Sequence, residues 1–369
     1  MDVAEPPRLI RLTNQVQPYA WGSLTAIPTL LGTPQTGKPQ AELWLGAHPV
    51  APSRTPEGQS LAEWIGADAA ARLGPRVLER FGARLPFLFK VLAAAEPLSL
   101  QAHPSVKQAV AGFERENAAG VPLNASNRNY RDANHKPEII CALTKFEALC
   151  GFRSVTETLK VLEAFGVDAS TLKSKGLRAY FEQVMTDRSL VEQLVKAAPP
   201  KGLAKEAELV ARLNAKYPGD VGVLGALLLN HLTLEPGEAL YLGAGNLHAY
   251  LSGTGVELMA NSDNVLRGGL TPKHVDVREL LSVLEFTDGP AKVLRASPDG
   301  TYVTPAPDFR LERITLRGTH VIEAGLPSIV LCVDGEATDL PRGASAFIAA
   351  NETVTLSGQA TLFRATAGV

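Results

Sequence analysis

The hydrophobic period changes twice along this chain, and those two changes restrict its fold more than any other feature. From residue 8 to about 153 the apolar residues come in short or alternating runs broken by Gly and Pro, the pattern of strands and turns. At Ser154 the period lengthens to nearly four. Val155, Leu159 and Leu162 then share one helical face, Ser154 with Glu157 reads as a capping box, and Gly166 is the stop. Further helices are predicted at Leu172–Thr186, Ser189–Ala198 and Leu203–Tyr217, the last ended by Pro218-Gly219. Strand patterning returns at Leu232. The prediction is a mainly β protein with a helical insertion at 154–230, serving as scaffold or lid.

The flanking segments fill in this outline. Leu31-Gly32-Thr33-Pro34, Gly37-Lys38-Pro39 and the stretch from Pro52 to Gly58 are turn chemistry. Leu61 to Leu73 carries apolar residues at helical intervals, with Gly74-Pro75 as its stop. Pro86 to Leu92 is a buried strand interrupted by Lys90, which alone reads as a lysine snorkelling at a sheet edge. From Val293 onward short strands recur between turns, predicting a second sandwich or barrel. Its only histidine is His320, so no metal is expected there. Residues 1–153 with 231–290 thus form one β domain, 154–230 the insertion, and 291–369 a C-terminal β domain.

A length of 369 residues calls for two or three domains. With 45% hydrophobic and 20% charged residues the chain reads as soluble and globular. A formal net charge of -2 argues against nucleic acid or an anionic membrane as the main partner. Any anionic ligand must therefore be met by a few placed cations. The three cysteines, Cys141, Cys150 and Cys332, show no metal-binding spacing and read as buried thiols in a reducing compartment. The N-terminus has acids and prolines where a signal peptide needs a basic start and an apolar run. The longest apolar run, Val221 to Leu229, is far too short to span a membrane. A cytoplasmic protein is expected.

Chemistry concentrates on the segment Ser99-Leu100-Gln101-Ala102-His103-Pro104. In an extended chain Ser99, Gln101 and His103 share one face while Leu100 and Ala102 take the other. Glu138 begins another strand with Lys136 on the same side, and His248 stands on a third. Two imidazoles, one carboxylate and one carboxamide on separate strands make a plausible catalytic zinc site. A neutral amide leaves more positive charge on the metal than a second carboxylate would, which suits polarisation of a substrate oxygen. The stretch from Glu257 to Lys273 packs Glu257, Asp263, Arg267 and Lys273 among Asn, Gly and Pro. It reads as a surface loop able to supply cations to a phosphate or an enediolate.

Taken in order, the elements Tyr19-Ala20-Trp21-Gly22, Ala41-Glu42-Leu43-Trp44-Leu45-Gly46-Ala47-His48-Pro49, the run Pro86 to Leu92, Ser99 to Pro104, Asn134-His135-Lys136-Pro137-Glu138 and Ala260 to Lys273 resemble type I mannose-6-phosphate isomerases (phosphomannose isomerases) of the cupin superfamily. The likeness is strong over residues 8–285 and weaker beyond. It implies two cupin-like, jelly-roll β-barrels plus an α-helical domain, and interconversion of mannose 6-phosphate and fructose 6-phosphate, a step toward GDP-mannose. It also implies a monomer holding one Zn2+ on Gln101, His103, Glu138 and His248. Arg267 matches the family's catalytic arginine, and Lys136 and Glu257 match acid/base candidates. Ser99, Lys90 and Lys273 match residues lining the expected phosphate pocket. Gly245-Asn246 stands where relatives often have a proline before the histidine. The implied mechanism moves a proton between C2 and C1 through a cis-enediol, with Arg267 on the developing oxyanion. Glu257 has the better reference basicity for that task, though pairing with Arg267 or Lys273 would remove it. A cupin-type iron oxygenase would share two His and a carboxylate but has no need of the Lys/Arg set. A sugar-phosphate sensor would need motif residues lost, and none is.

Overall fold

The computed structural model describes residues 9–369; the residues before them, on which the reading of the N-terminus largely rests, lie outside the description. Both changes of period coincide with changes of structure. Helices run Val155–Ala164, Ser170–Thr186, Arg188–Lys196 and Ala204–Lys216, and strand resumes at Leu229. Ser154 Oγ accepts from the Glu157 N–H, and the Glu157 carboxylate takes the Ser154 hydroxyl. The apolar run that starts at Val221 divides between a fifth helix, Gly222–Leu227, and the first residue of the next strand.

Gly74-Pro75 does end one helical stretch, but another begins immediately after it. Two helices form, Leu61–Ala67 and Ala69–Phe81, and Asp68 between them caps the second by accepting from the Ala71 N–H. Gly74 sits inside that second helix at φ 76° and kinks it. Proline restarts the helix past the kink because its missing N–H is not needed in a first turn.

An eleven-stranded system is built around one long strand, His248–Ala260. Its second half, from Gly253, lies between Phe87–Ala94 and Glu138–Ala142. Its first residues pair instead with Gln101 and with Phe146–Phe152. The change of partners falls at a register shift between Tyr250 and Ser252, followed by Gly253 at φ 116°. A β-carbon on Gly253 would lie 2.6 Å from the Lys145 carbonyl oxygen, so only glycine fits this corner. Lys90 is consequently not at an edge. Its strand runs between Glu42–Gly46 and Gly253–Ala260, and the side chain is buried.

The second sheet has seven strands, and two of them, Arg310–Ile322 and Val354–Thr366, are 13 residues long rather than short. The strand Ile10–Leu12 joins this sheet by pairing with Ser345–Ile348. One apolar core runs across both sheets, from Phe87, Phe89 and Val91 to Leu331, Phe347 and Phe363, so packing is continuous across residue 290.

Alternation explains where the helices sit. Leu100 and Ala102, and Leu247, Ala249 and Leu251, project into the same core as the helical block. The residues between them, Gln101, His103, His248 and Tyr250, face the other way. The insertion is therefore a back wall behind the polar stripe. Each fully buried leucine in such a wall contributes roughly 1.5–3 kcal/mol.

A charged cluster helps tie the block to the sheet. Arg212 donates two hydrogen bonds to Glu147, at 2.8 and 2.6 Å, while His231 and Ser252 reach the same carboxylate. Burial alone would raise Glu147, but His231 and Arg212 hold it down at about 2. A carboxyl whose folded pKa is depressed adds stability above its unfolded value, and this is lost as pH falls through the folded one. Glu147→Gln is expected to lower stability at pH 7 by about 2 kcal/mol. It should also flatten the fall in melting temperature between about pH 4.5 and 2, checked by thermal melts across that window.

Candidate metal centre

Three strands bring three metal-ligating side chains to one buried point. His103, Glu138 and His248 each offer one ligand atom, and these atoms lie within 4.8 Å of one another. His103 Nε2 is 3.4 Å from Glu138 Oε1, and His248 Nε2 is 3.6 Å from Glu138 Oε2. Gln101, opposite His248 in the sheet, brings its carboxamide to 3.3 Å from His248 Nε2. Both imidazoles are oriented from behind. His103 Nδ1 bonds the Asn264 carbonyl at 2.8 Å and His248 Nδ1 bonds the Asn246 carbonyl at 3.1 Å. A carbonyl only accepts, so each Nδ1 carries the proton and each Nε2 lone pair faces the shared point.

The donor set fits a divalent cation. Buried His103 Nε2 and Glu138 Oε2 have no hydrogen-bond partner, a costly arrangement unless something else meets them. Burial pushes His103 down to about 4, so the imidazole is neutral and available at pH 7. Burial would raise Glu138, but Lys136 and His103 outweigh it and keep the carboxylate ionised. Two imidazole nitrogens, one carboxylate oxygen and a nearby carboxamide are a zinc-type set.

Beside this point runs a buried chain of charges. Lys136 Nζ lies 3.1 Å from Glu138 Oε1. Lys90 Nζ lies 3.1 Å from Glu257 Oε2 and 3.5 Å from Glu42 Oε2. Tyr250 donates its hydroxyl to Glu257 Oε1 at 2.9 Å, and Trp44 donates its indole N–H to Glu42 at 2.6 Å. Glu257 is thus no loop residue: it is inside the long strand, 3% exposed, and it pairs with Lys90 rather than with Arg267 or Lys273. Burial would lower Lys90, but Glu42 and Glu257 raise it, so the ammonium stays charged. Burial raises Glu257 against the pull of Lys90, with Glu138 and Glu42 adding to the rise.

The other expected cations stand apart. Arg267 occupies a two-residue strand opposite Gln101, and Lys273 lies exposed beyond it. Burial lowers Arg267, and Arg131 adds to this; Lys273 is lowered by burial and then by Arg267 and Arg131. Among the described residues none of the three has a carboxylate partner within ion-pair distance. Ser99 is half-buried, next to Leu100, whose backbone N–H and C=O pair with Gly269 and Gly268.

Several residues of this region escaped the sequence reading. Glu42 and Trp44, and His248 and Tyr250, are pairs two apart on strands, so alternation could have put each pair on one face. Asn264 is fully buried and links the 131–134 loop to His103, with its side chain bonding Arg131 N–H and the Asp132 and Asn134 carbonyls. No sequence signal separates it from a turn-forming asparagine. His48 is buried edge-on against Trp44 and lies 3.6 Å from Asp263.

Residues 9–155 match the family of the phosphomannose isomerase type I catalytic domain. Mannose-6-phosphate isomerase of Escherichia coli (strain K12) is 40% identical over 96% of this chain and 98% of its own. The chain belongs to the type I mannose-6-phosphate isomerases. The human mannose-6-phosphate isomerase is 36% identical over 95% of both chains. A solved point mutant of phosphomannose isomerase from Salmonella typhimurium superimposes with a TM-score of 0.91 at 37% identity, covering 98% of this chain and 100% of that one. A mannose 6-phosphate isomerase solved with bound zinc and yttrium gives 0.90, at the same identity and coverage. As a mannose-6-phosphate isomerase, the chain is an enzyme of aldose–ketose isomerisation.

In this chain, His103→Ala is expected to lower the affinity for added Zn2+, used as a probe of the cluster, by at least ~100-fold, since even groups that only orient a ligand cost 10–100-fold. Competition with a chromogenic chelator reads the affinity, and circular dichroism checks that the fold is kept. Wild-type zinc affinity in the variant would remove His103 from the site.

Proposed function

We propose that this enzyme is zinc-dependent, binding one Zn2+ per chain on Gln101, His103, Glu138 and His248. We read it as converting mannose 6-phosphate to fructose 6-phosphate and back by moving a proton between C2 and C1 through a cis-enediol. The observation that carries the reading is the pair of buried, unpartnered ligand atoms, His103 Nε2 and Glu138 Oε2, between oriented imidazoles. When bound, zinc would supply a Lewis acid for the sugar oxygens at C1 and C2. Gln101 would turn its carbonyl oxygen inward, a half-rotation of the same amide.

The remaining roles follow from what each side chain already touches. Both Glu257 oxygens are engaged, by Lys90 and by Tyr250, which leaves neither free to take a carbon-bound proton. Among the described residues Lys136 has Glu138 as its one ion-pair partner and stands next to the candidate ligands, so we assign it the proton transfer, which it performs as the neutral amine. Glu257 and Lys90 then act as a rigid charged wall that orients the sugar, and Lys90 reaches phosphate only if it leaves two carboxylates. Arg267, half-buried opposite Gln101, is suited to stabilise the enediolate oxygen, and Lys273 with Ser99 and Arg131 to hold the phosphate.

The matching architecture supports two cupin-like, jelly-roll barrels, with residues 1–153 and 231–290 in the first, 154–230 inserted, and 291–369 in the second. Among the described residues no helix is long and apolar enough to cross a membrane. We place the enzyme as a monomer in the cytoplasm, acting on a sugar phosphate destined for GDP-mannose. An iron oxygenase is disfavoured by family membership and by the three unpaired cations.

Lys136→Met is expected to lower kcat by 10²–10⁴-fold and to slow exchange of the C2 proton with deuterated solvent to the same degree. Glu257→Gln should keep exchange linked to turnover. The measurement is proton NMR of mannose 6-phosphate in deuterium oxide with metal content determined alongside. C2 exchange at the wild-type rate in Lys136→Met would reject it as the base.

A further inference from the structure

The segment carrying Arg267 and Lys273 is held by two different devices along its length. Its first part is strand-like: Leu266 and Arg267 pair with Ala102 and Gln101, and Gly268 N–H and Gly269 C=O bond Leu100. After Gly269 that support ends. Leu270 then takes a φ of 54°, a left-handed conformation that a branched side chain rarely adopts. Its side chain is buried in the core of the helical block, so the turn is fixed at that end by burial.

What meets the backbone of this turn is Asp220, from the loop that follows the helix Ala204–Lys216. Asp220 Oδ1 accepts from Leu270 N–H at 2.8 Å and from Gly222 N–H at 2.7 Å, and Oδ2 accepts from Thr271 N–H at 3.4 Å. Thr271 Oγ1 in turn accepts from the N–H of Lys273 at 3.1 Å. The fit is close on both sides. A β-carbon on Gly222 would lie 2.6 Å from Leu270 N, and one on Gly269 would lie 2.7 Å from Gly222 Cα. Asp220 is itself fixed, because its N–H bonds the Tyr217 carbonyl and its carbonyl accepts from Val223.

We propose that Asp220 is a positioning residue, contributed by the helical insertion, which sets Lys273 at the phosphate end of the substrate by gripping the Leu270-Thr271 backbone. The insertion thereby takes part in recognising the phosphate of the sugar without touching it. The proposal rests on the reading of Lys273 as a phosphate-binding residue. It does not extend to Arg267, which the pairing with Gln101 holds independently, so the effect belongs in KM rather than in kcat.

The test compares Asp220→Ala, Asp220→Asn, Lys273→Ala and the Asp220→Ala/Lys273→Ala double variant in the zinc-loaded full chain. KM and kcat for mannose 6-phosphate, inhibition by inorganic phosphate, and metal content are measured for each. Asp220→Ala is expected to raise KM and the phosphate inhibition constant together by ~10-fold, with kcat and metal content close to wild type. Asp220→Asn keeps one acceptor oxygen and should recover most of the loss. The double variant should be little worse than Lys273→Ala, since a lysine already absent has no position to lose. Wild-type KM and phosphate inhibition in Asp220→Ala, or a loss fully additive with Lys273→Ala, overturns the proposal. Should Asp220→Ala lose metal or fail to fold, Asp220→Asn decides: a rise in both constants of about three-fold supports the proposal, and none rejects it. If Lys273→Ala itself leaves both constants unchanged, the phosphate reading of Lys273 falls first. A damaged Lys273→Ala beside intact Asp220 variants sinks the positioning role alone.

Discussion

An ionised carboxylate in a dry interior has to be balanced by charge close at hand, and three such groups lie side by side here. Glu42 and Glu257 share the ammonium of Lys90, and Glu138 has Lys136. Lys90 therefore faces two carboxylates, while Glu138, paired with Lys136, lies against the two oriented imidazoles. A dication there would add positive charge to the site. The site would then present net positive charge toward Arg267, Lys273 and Arg131, as an anionic sugar phosphate requires. These five side chains keep such distances only if their strands are held rigidly.

That rigidity comes from the long strand His248–Ala260, which carries an imidazole at one end and Glu257 near the other. By changing partners at the Tyr250–Gly253 corner it joins the strand of Gln101 to the strands of Lys90 and Glu138. The helical block closes the apolar back of its first half. Side-chain alternation thus makes the same few residues serve both the hydrophobic core and the polar site.

Period and turn chemistry made the β–helix–β order legible, and alternation within single segments brought Gln101, His103 and Glu138 forward as a set. What was hidden depends on pairing between strands far apart in sequence. Lys90 looked like an edge lysine because nothing local says that Glu42 and Glu257 flank it on neighbouring strands. Glu257 looked like a loop residue because Asn, Gly and Pro crowd the positions just after it. Gly74-Pro75 has the composition of a helix stop, and only the contacts of the surrounding chain decide that the helix resumes. Asp220 is one more turn-forming residue until the backbone it captures is seen.

The pairing of Ile10–Leu12 with Ser345–Ile348 sets an order of events during synthesis. At translation rates of 5–20 residues per second, the first strand waits roughly 17–70 seconds for its partner to be made. The second sheet therefore cannot be completed while the chain is still growing through its middle. Its closing contact is also among the longest in sequence, and so among the most expensive in loop entropy. A nascent chain of this enzyme carries an unpaired β edge at Ile10–Leu12 until Ser345–Ile348 has been made, and a chaperone acting there would shield that edge.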